Sequence, residues 1–291
     1  KKKLRHQGLD KAINTNKESK KFSMSTVCEH FKLHRDAYYK FKQREKLRLE
    51  SDNQAIDLVK EVRKKLPETG GRKLYVELNE AGLKVGRDRL FKILKEQNML
   101  IERKKRSCRT TDSYYHFHKY SNLIQDLEIT RPNQVWVSDI TYIRTVNGFC
   151  YLALITDLYS RKIVGYDVSD SLELAGCLRA FRFAQKTARP SPGLIHHSDR
   201  GSQYCSHEYT GELKGRGILL SMTEENHCYE NAVAERVNGI LKSEFYLDQC
   251  FTSVDHARMA TKNAIFNYNN LRRHVSLNYK TPSFVYMNNA A

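Results

Sequence analysis

Three carboxylates stand out for the residues around them. Asp139 lies in the strand-like run Val135-Trp136-Val137-Ser138-Asp139-Ile140-Thr141-Tyr142-Ile143. Asp199 follows Ile195-His196-His197-Ser198 and precedes Arg200-Gly201-Ser202-Gln203-Tyr204. Thirty-six residues further on, Glu235 sits in the helical run Glu230–Glu244. A buried, unpaired Asp is costly, and converging carboxylates repel one another and raise at least one pKa. If the three meet, a cation is implied. Mg²⁺ is satisfied by a few carboxylates together with phosphate oxygens and water. Two such ions, about 3.5–4 Å apart, activate an attacking oxygen and stabilise the leaving one in phosphodiester transfer. An Asp near a strand end is ordinarily a cap or turn residue, and a helical Glu ordinarily faces solvent. The trio in its setting is the signal, not any one member.

The elements that must position them follow from periodicity. Strands are expected at Val135–Ile143, Phe149–Leu158, Lys162–Ser169, Leu194–Ser198 and Ile218–Met222. Helices are expected at Leu172–Thr187, Gln203–Arg216, Asn231–Tyr246 and Asp255–Asn270. Three consecutive strands followed by alternating helix and strand make an α/β domain with a mixed five-stranded sheet and flanking helices, of ribonuclease-H-like order. Asp139 shares a strand face with Val135, Val137, Thr141 and Ile143, and Asp199 falls at a strand's carboxyl end, where open sheets place ligands. Gly201 is expected to let the chain turn. On the last core helix Val233, Val237, Ile240 and Leu241 form the inward stripe. Glu235, Asn238, Gly239 and Lys242 form another face, from which Asn238 and Lys242, with Arg200, are candidate DNA contacts. His196 and His197 are read as structural hydrogen-bonding groups before proton carriers, and Arg272, Arg273 and His274 as a lock for the C-terminal segment before phosphate contacts.

The first third of the chain has a different texture. Residues 1–110 hold 31 Lys and Arg against 15 Asp and Glu, whereas residues 111–291 hold 19 against 18, within a total of +17. Such asymmetry points to a polyanion-binding arm ahead of an ordinary globular domain. Residues 1–22 are expected to be a flexible basic lead-in. Residues 23–50 are read as a helix-turn-helix-like segment opened by a Thr26-x-x-Glu29 capping box, with Arg35 and Tyr38 as candidate DNA contacts. Residues 51–102 are read as a second helical module whose last helix presents Arg87, Arg89, Lys92 and Lys95. These small all-α modules precede a linker, 103–132, that opens with Arg103-Lys104-Lys105-Arg106. Its aromatics, Tyr114 to Tyr120, suit stacking on unpaired bases and docking on the next domain equally well. The catalytic core is placed at 133–250, and a C-terminal helix and tail at 251–291.

Seven scattered cysteines, an odd number with no C-x-x-C pair, argue against a zinc site and a disulfide framework and favour a reducing cytoplasm. No apolar run approaches the ~20 residues of a membrane span, and no nucleotide-binding Gly-x-x-x-x-Gly-Lys loop is present.

The three carboxylates in context resemble the DDE transposases and retroviral integrases. More closely, the chain resembles the OrfB part of the insertion-sequence-three family of bacterial transposases. The matching stretches are Gln134–Tyr142, Asp157–Gly165, His197–Tyr204, Glu230–Glu244 and Tyr268–Leu277 with Thr281-Pro282. Gly70-Gly71-Arg72 stands where the family often has Tyr-Gly. The resemblance implies that Asp139, Asp199 and Glu235 are catalytic and bind two Mg²⁺ ions, with Mn²⁺ as a substitute. It implies nicking at terminal inverted repeats, then attack by a 3′-hydroxyl, giving a circular intermediate that integrates into target DNA. It also implies double-stranded DNA as partner, a homodimer or larger synaptic assembly, no membrane, and a bacterial, nucleoid-associated location. A purely hydrolytic nuclease would lack the basic modules, and a non-catalytic regulator would be expected to lose a carboxylate. A serine or tyrosine recombinase would need a placed nucleophile, and none stands out.

Overall fold

A computed structural model describes residues 2–19, 22–102, 120–223 and 231–289. The chain divides into two compact units, one formed by residues 1–61 and 74–100 and the other by residues 62–73 and 101–291.

The first unit is helical. The basic lead-in expected to be flexible is instead a helix, α1 (Lys2–Ser19). Among its described side chains two apolar positions are buried, Leu9 and Ile13, too few to register as a periodic stripe. They pack with Val27, Cys28 and Tyr38 from α2 (Met24–His30) and from α3 (Arg35–Lys65). The cap of α2 is also displaced from expectation: Ser23, not Thr26, accepts the Thr26 amide at 3.2 Å. The boundary expected at residue 50 is absent, because α3 is one continuous helix of 31 residues. Its solvent-facing middle is rich in Lys, Arg, Glu and Leu, which are strong helix formers and need no partner to continue the helix. Tyr38, expected at DNA, is buried, and its hydroxyl donates to Asp10 at 3.0 Å. Two further helices, α4 (Gly71–Glu80) and α5 (Arg87–Glu96), bury Leu74, Leu78, Leu90, Ile93 and Leu94. Arg89 is turned into the fold as well, gripping Asp52 of α3 with two guanidinium nitrogens.

The second unit is built on a mixed five-stranded sheet. Its strands are β1 (Val135–Thr145), β2 (Gly148–Asp157), β3 (Ile163–Ser169), β4 (Ile195–Ser198) and β5 (Leu219–Met222), in spatial order β3-β2-β1-β4-β5. The first three form an antiparallel meander, and β4 and β5 add in parallel beside β1. This is the ribonuclease-H-like arrangement expected. One face packs Trp136, Ala153, Ile155 and Val164 beneath α6 (Leu174–Ala188). Gly165 permits this contact: a Cβ there would lie 2.4 Å from the Ala180 carbonyl oxygen. The single helix expected over Gln203–Arg216 is two, α7 (Ser202–Cys205) and α8 (His207–Lys214), because Ser206 breaks the run and caps α8. The opposite face packs Ile143, Cys150, Leu152 and Leu154 against α9 (Ala232–Glu244) and α10 (Val254–Asn270). The chain closes with α11 (Pro282–Asn289), whose Tyr286 hydroxyl donates to Asn133 at 2.9 Å.

No helix among the described residues is long and apolar enough to cross a membrane. Of the linker aromatics only Tyr120 is described, and it packs against the core with the Lys214 ammonium 5.0 Å from its ring centroid.

Because Leu9 is fully buried in the first unit, Leu9→Ala should destabilise that unit by about 2–5 kcal/mol. Tyr38→Phe should cost about 1 kcal/mol with unchanged DNA affinity. Denaturant melts and a DNA-binding titration check both, and a large affinity loss in Tyr38→Phe would restore that residue to the DNA surface.

Candidate active site

The site lies where the parallel pairing of β1 and β4 ends. Register pairs Ser138 with Ser198; Asp139 is the next residue along β1, and Asp199 is the first residue past the end of β4. Alternation turns the Asp139 side chain to the side that α9 covers, where Asn238 of α9 meets it, and Asp199 lies close enough to raise its pKa. Sheet alternation makes the point locally: Val135 and Val137, four and two residues before Asp139, are buried in a cluster with Ile195 and Ala234 of α9.

Two asparagines fix α9 against this corner. The Asn231 amide, at the start of α9, donates to the Ser138 carbonyl at 3.0 Å. Asn238 donates to Asp139 Oδ2 at 2.8 Å, while Asp139 Oδ1 accepts the Ile140 amide at 2.9 Å. Asn231 and Asn238 are seven residues apart, which places them on one stripe of the helix with Glu235 between them. Asn238, expected at DNA, is thus buried as a support for Asp139. Asn231 carried no recognisable sequence signal, since its partner lies 93 residues away.

Asp199 Oδ1 accepts the Gly201 amide at 3.0 Å. The backbone at Gly201 has ordinary negative φ (−60°), so glycine is not needed for the turn itself. A Cβ at this position would lie 3.0 Å from Asp199 Oδ1, and its absence keeps that side of the carboxylate open.

The electrostatics record the crowding. Burial, then the Asp199 charge, pushes the Asp139 carboxyl up to about 7, with Glu235 adding to the shift and the bonds from Asn238 and Ile140 opposing it. Burial raises Asp199 too. Glu235 is exposed in the first turn of α9. Among the described residues no three His, Cys, Asp or Glu side chains stand together closely enough to enclose an ion. Asp139 and Asp199 form the built pair, and Glu235 is the outlying member, within electrostatic reach of Asp139. Lys242 is partly buried on the same helix, its ammonium disfavoured by burial and favoured by Asp139.

The histidines are structural. His196 Nε2 meets Ser138 Oγ at 2.7 Å and Tyr209 Oη at 3.1 Å, and burial lowers its pKa to about 3. His197 Nδ1 meets Ser221 Oγ at 2.9 Å. Arg272 and His274 are buried and lock the C-terminal segment, and Arg273 donates to the Tyr279 carbonyl. Of the remaining expected contacts, Arg35, Arg87, Lys92 and Lys95 are exposed on the first unit and Arg200 is half-buried beside Asp199. Arg103, Lys104, Lys105 and Arg106 lie outside the described residues.

The comparisons with known proteins agree with this architecture. An integrase core domain model matches residues 129–228, and a second integrase core domain model matches residues 216–282. The Shigella sonnei "Insertion element IS600 uncharacterized 31 kDa protein" is 38% identical, covering 88% of this chain and 96% of its own. "Transposase InsF for insertion sequence IS3A" of Escherichia coli K12 is 30% identical, covering 91% of this chain and 94% of its own. Among solved structures, the HTLV-2 integrase catalytic core domain in complex with magnesium is 22% identical, covers 54% of this chain and 97% of its own, and has a TM-score of 0.44. The chain belongs to the insertion-sequence-three family of bacterial transposases, with an integrase-type core.

The donor set fits a divalent cation. Asp139 and Asp199 offer hard oxygen ligands, and their mutual repulsion is what a cation would relieve. The raised pKa of Asp139 lies above its ordinary 3.8, so its ionisation disfavours the folded state. The contribution is intact below pH 4 and is lost as pH rises through about 7. Added Mg²⁺ should therefore raise the melting temperature at pH 8 and raise it far less at pH 5. Asp139→Asn should abolish the pH 8 gain. Equal gains at both pH values, or a gain surviving in Asp139→Asn, would place the cation elsewhere.

Proposed function

We propose that this transposase nicks the ends of its own insertion sequence and transfers the resulting 3′-hydroxyl strand, with Asp139, Asp199 and Glu235 as its catalytic carboxylates. The observation that carries the reading is the corner where the pairing of β1 with β4 ends. There two half-buried aspartates lie within electrostatic reach of each other, beside the helix that carries a glutamate and a lysine. Carboxylates crowded this way have little structural use, since Asp139 stabilises nothing by being ionised there.

In this reading Asp139 and Asp199 hold divalent metal, Mg²⁺ or Mn²⁺, and Glu235 completes the set when DNA is bound. Bound as a pair, the ions would lower the pKa of the attacking hydroxyl or water and take up charge on the leaving oxygen. The protein's own part is placement. Asn238 and the Ile140 amide hold the two oxygens of Asp139 in fixed directions. The Gly201 amide does the same for one oxygen of Asp199. Lys242, close enough to Asp139 to feel its charge, supplies a cation for the non-bridging oxygens of the scissile phosphate. Preorganised charge aimed at a transferring phosphoryl group is the larger share of such catalysis.

The basic first unit, with Arg35, Arg87, Lys92 and Lys95 exposed, binds the terminal inverted repeats as duplex DNA, largely through phosphates. Arg103, Lys104, Lys105 and Arg106 are further DNA contacts in this reading. Two ends must be brought together for joining, so a homodimer or larger assembly is the working form. The joined product is a circular intermediate that then integrates into target DNA, and the enzyme acts at the bacterial nucleoid.

The test is a strand-transfer assay with labelled element ends and Mg²⁺. Wild type should yield joined-end product, and Glu235→Gln should yield less than about one-thousandth as much, a loss of about 4 kcal/mol in transition-state stabilisation. Both should bind the ends equally. Equal product from the two would remove Glu235 from the reaction.

A further inference from the structure

Among the described residues the Glu235 carboxylate has no hydrogen-bonding or ion-pair partner, so its position is set by the pose of α9 alone. The amino-terminal part of that helix is held by Asn231 and Asn238. The carboxyl-terminal end is held by a different device, a buried charge cluster. Glu244 is the last residue of α9, nine residues beyond Glu235. Arg272, 5% exposed, grips it with Nε to Oε2 at 2.8 Å and Nη2 to Oε1 at 2.6 Å. The third guanidinium nitrogen, Nη1, meets His274 Nε2 at 2.9 Å. Lys73 donates to Glu244 Oε2 at 3.4 Å.

Lys73 belongs to segment 62–73 of the second unit, which is held to the rest of that unit at two further points. The Tyr246 hydroxyl donates to Glu68 Oε1 at 2.8 Å, and the Asn267 amide donates to the Lys65 carbonyl at 3.2 Å. A carboxylate at a helix carboxyl terminus opposes the helix dipole, and burying a lysine near arginine adds a further cost. A solvent-exposed end would avoid both. What the cluster provides in return is a fixed end for a short helix.

We propose that Lys73, Glu244 and Arg272 are positioning residues: their ionic clamp sets the pose of α9, and through it the place of Glu235 opposite Asp139. The catalytic consequence rests on the function proposed above, whereas the clamp itself can be tested without it. α9 spans about 20 Å at 1.5 Å per residue, so a small tilt at Glu244 is carried to the first turn. Misplacement by about 1 Å can cost about a hundredfold in rate.

The clamp has a pH signature. Burial, then the Arg272 charge, lowers the Lys73 ammonium to about 8, with Glu244 opposing and Arg236 of α9 adding. His274, held neutral by burial and by Arg272, does not titrate in this range. Lys73 therefore loses its charge as pH rises through about 8. Its folded-state pKa lies below the ordinary 10.5, so this deprotonation raises global stability between about 8 and 10.5 while slackening the clamp. The two effects have opposite signs, and a merely structural lysine would show only the first.

The full chain should be followed by amide exchange in α9 and by strand transfer, at pH 7 and pH 9. In wild type, α9 protection should fall about tenfold between the two, corrected for intrinsic exchange, with no fall in melting temperature. Lys73→Arg should keep α9 protected at both pH values, since arginine does not deprotonate in this range. Lys73→Met should be low at both, without a further fall. Joined product per bound end should follow the same order, at unchanged DNA affinity. An identical α9 pH response in wild type and Lys73→Met, or Lys73→Arg behaving as Lys73→Met, overturns the clamp. Altered exchange with unaltered strand transfer overturns the positioning role. Absence of product in wild type at both pH values would refute the proposed function instead, and exchange would still decide the clamp.

Discussion

A carboxylate placed on the interior strand of a sheet, facing its own kind, is the constraint from which the rest of the second unit follows. Asp139 cannot ionise freely, because burial and Asp199 both oppose it. Nothing nearby neutralises it fully: Asn238 and the Ile140 amide donate to it, and Lys242 lies within electrostatic range. The site is built to hold negative charge short of compensation. That arrangement costs stability and is retained where a ligand supplies the missing positive charge.

The surrounding fold provides the stiffness to tolerate this strain. β1 is flanked on both sides, by β2 along its full length and by β4 up to Ser138. His196 stays neutral in an aromatic nest of Phe181, Tyr204 and Tyr209, bonded to Ser138 next to Asp139. At the other end of β2, Asp157 is a buried carboxylate with a contrasting fate. It accepts the Asn133 amide at 2.7 Å, the Ser160 amide at 2.8 Å and the Ser160 hydroxyl at 2.5 Å. One buried Asp is saturated with donors and closes a turn. Asp139, half-buried in the middle of β1, is left under-compensated, and that difference separates scaffold from site.

Much of this was legible in the sequence, because it rests on local pattern. Alternation through Val135–Ile143 placed Asp139 on the buried side of a strand, and the strand and helix order implied the sheet. What escaped was set by distant partners. Asn238 shares a helical face with Glu235 and Lys242, which suggested DNA, but its amide is claimed by Asp139, 99 residues earlier. Tyr38 reads as a surface aromatic until Asp10 and the α1 core are seen beside it. α1 itself escaped because two buried residues in a polar helix leave no periodic trace. The continuity of α3 escaped because residues 43–50 are exposed and carry no apolar stripe to join its two ends. The lock by Arg272 and His274 was anticipated, whereas its reach to Glu244 and Lys73 was not.

The measurement closest to the central claim is an NMR titration of the Asp139 side-chain carboxyl in the metal-free protein. The account predicts a midpoint near 7, the value that burial and the neighbouring carboxylates impose. A midpoint near the ordinary 3.8 would mean that the charge is already compensated by the protein, and the case for a cation-binding corner would fail.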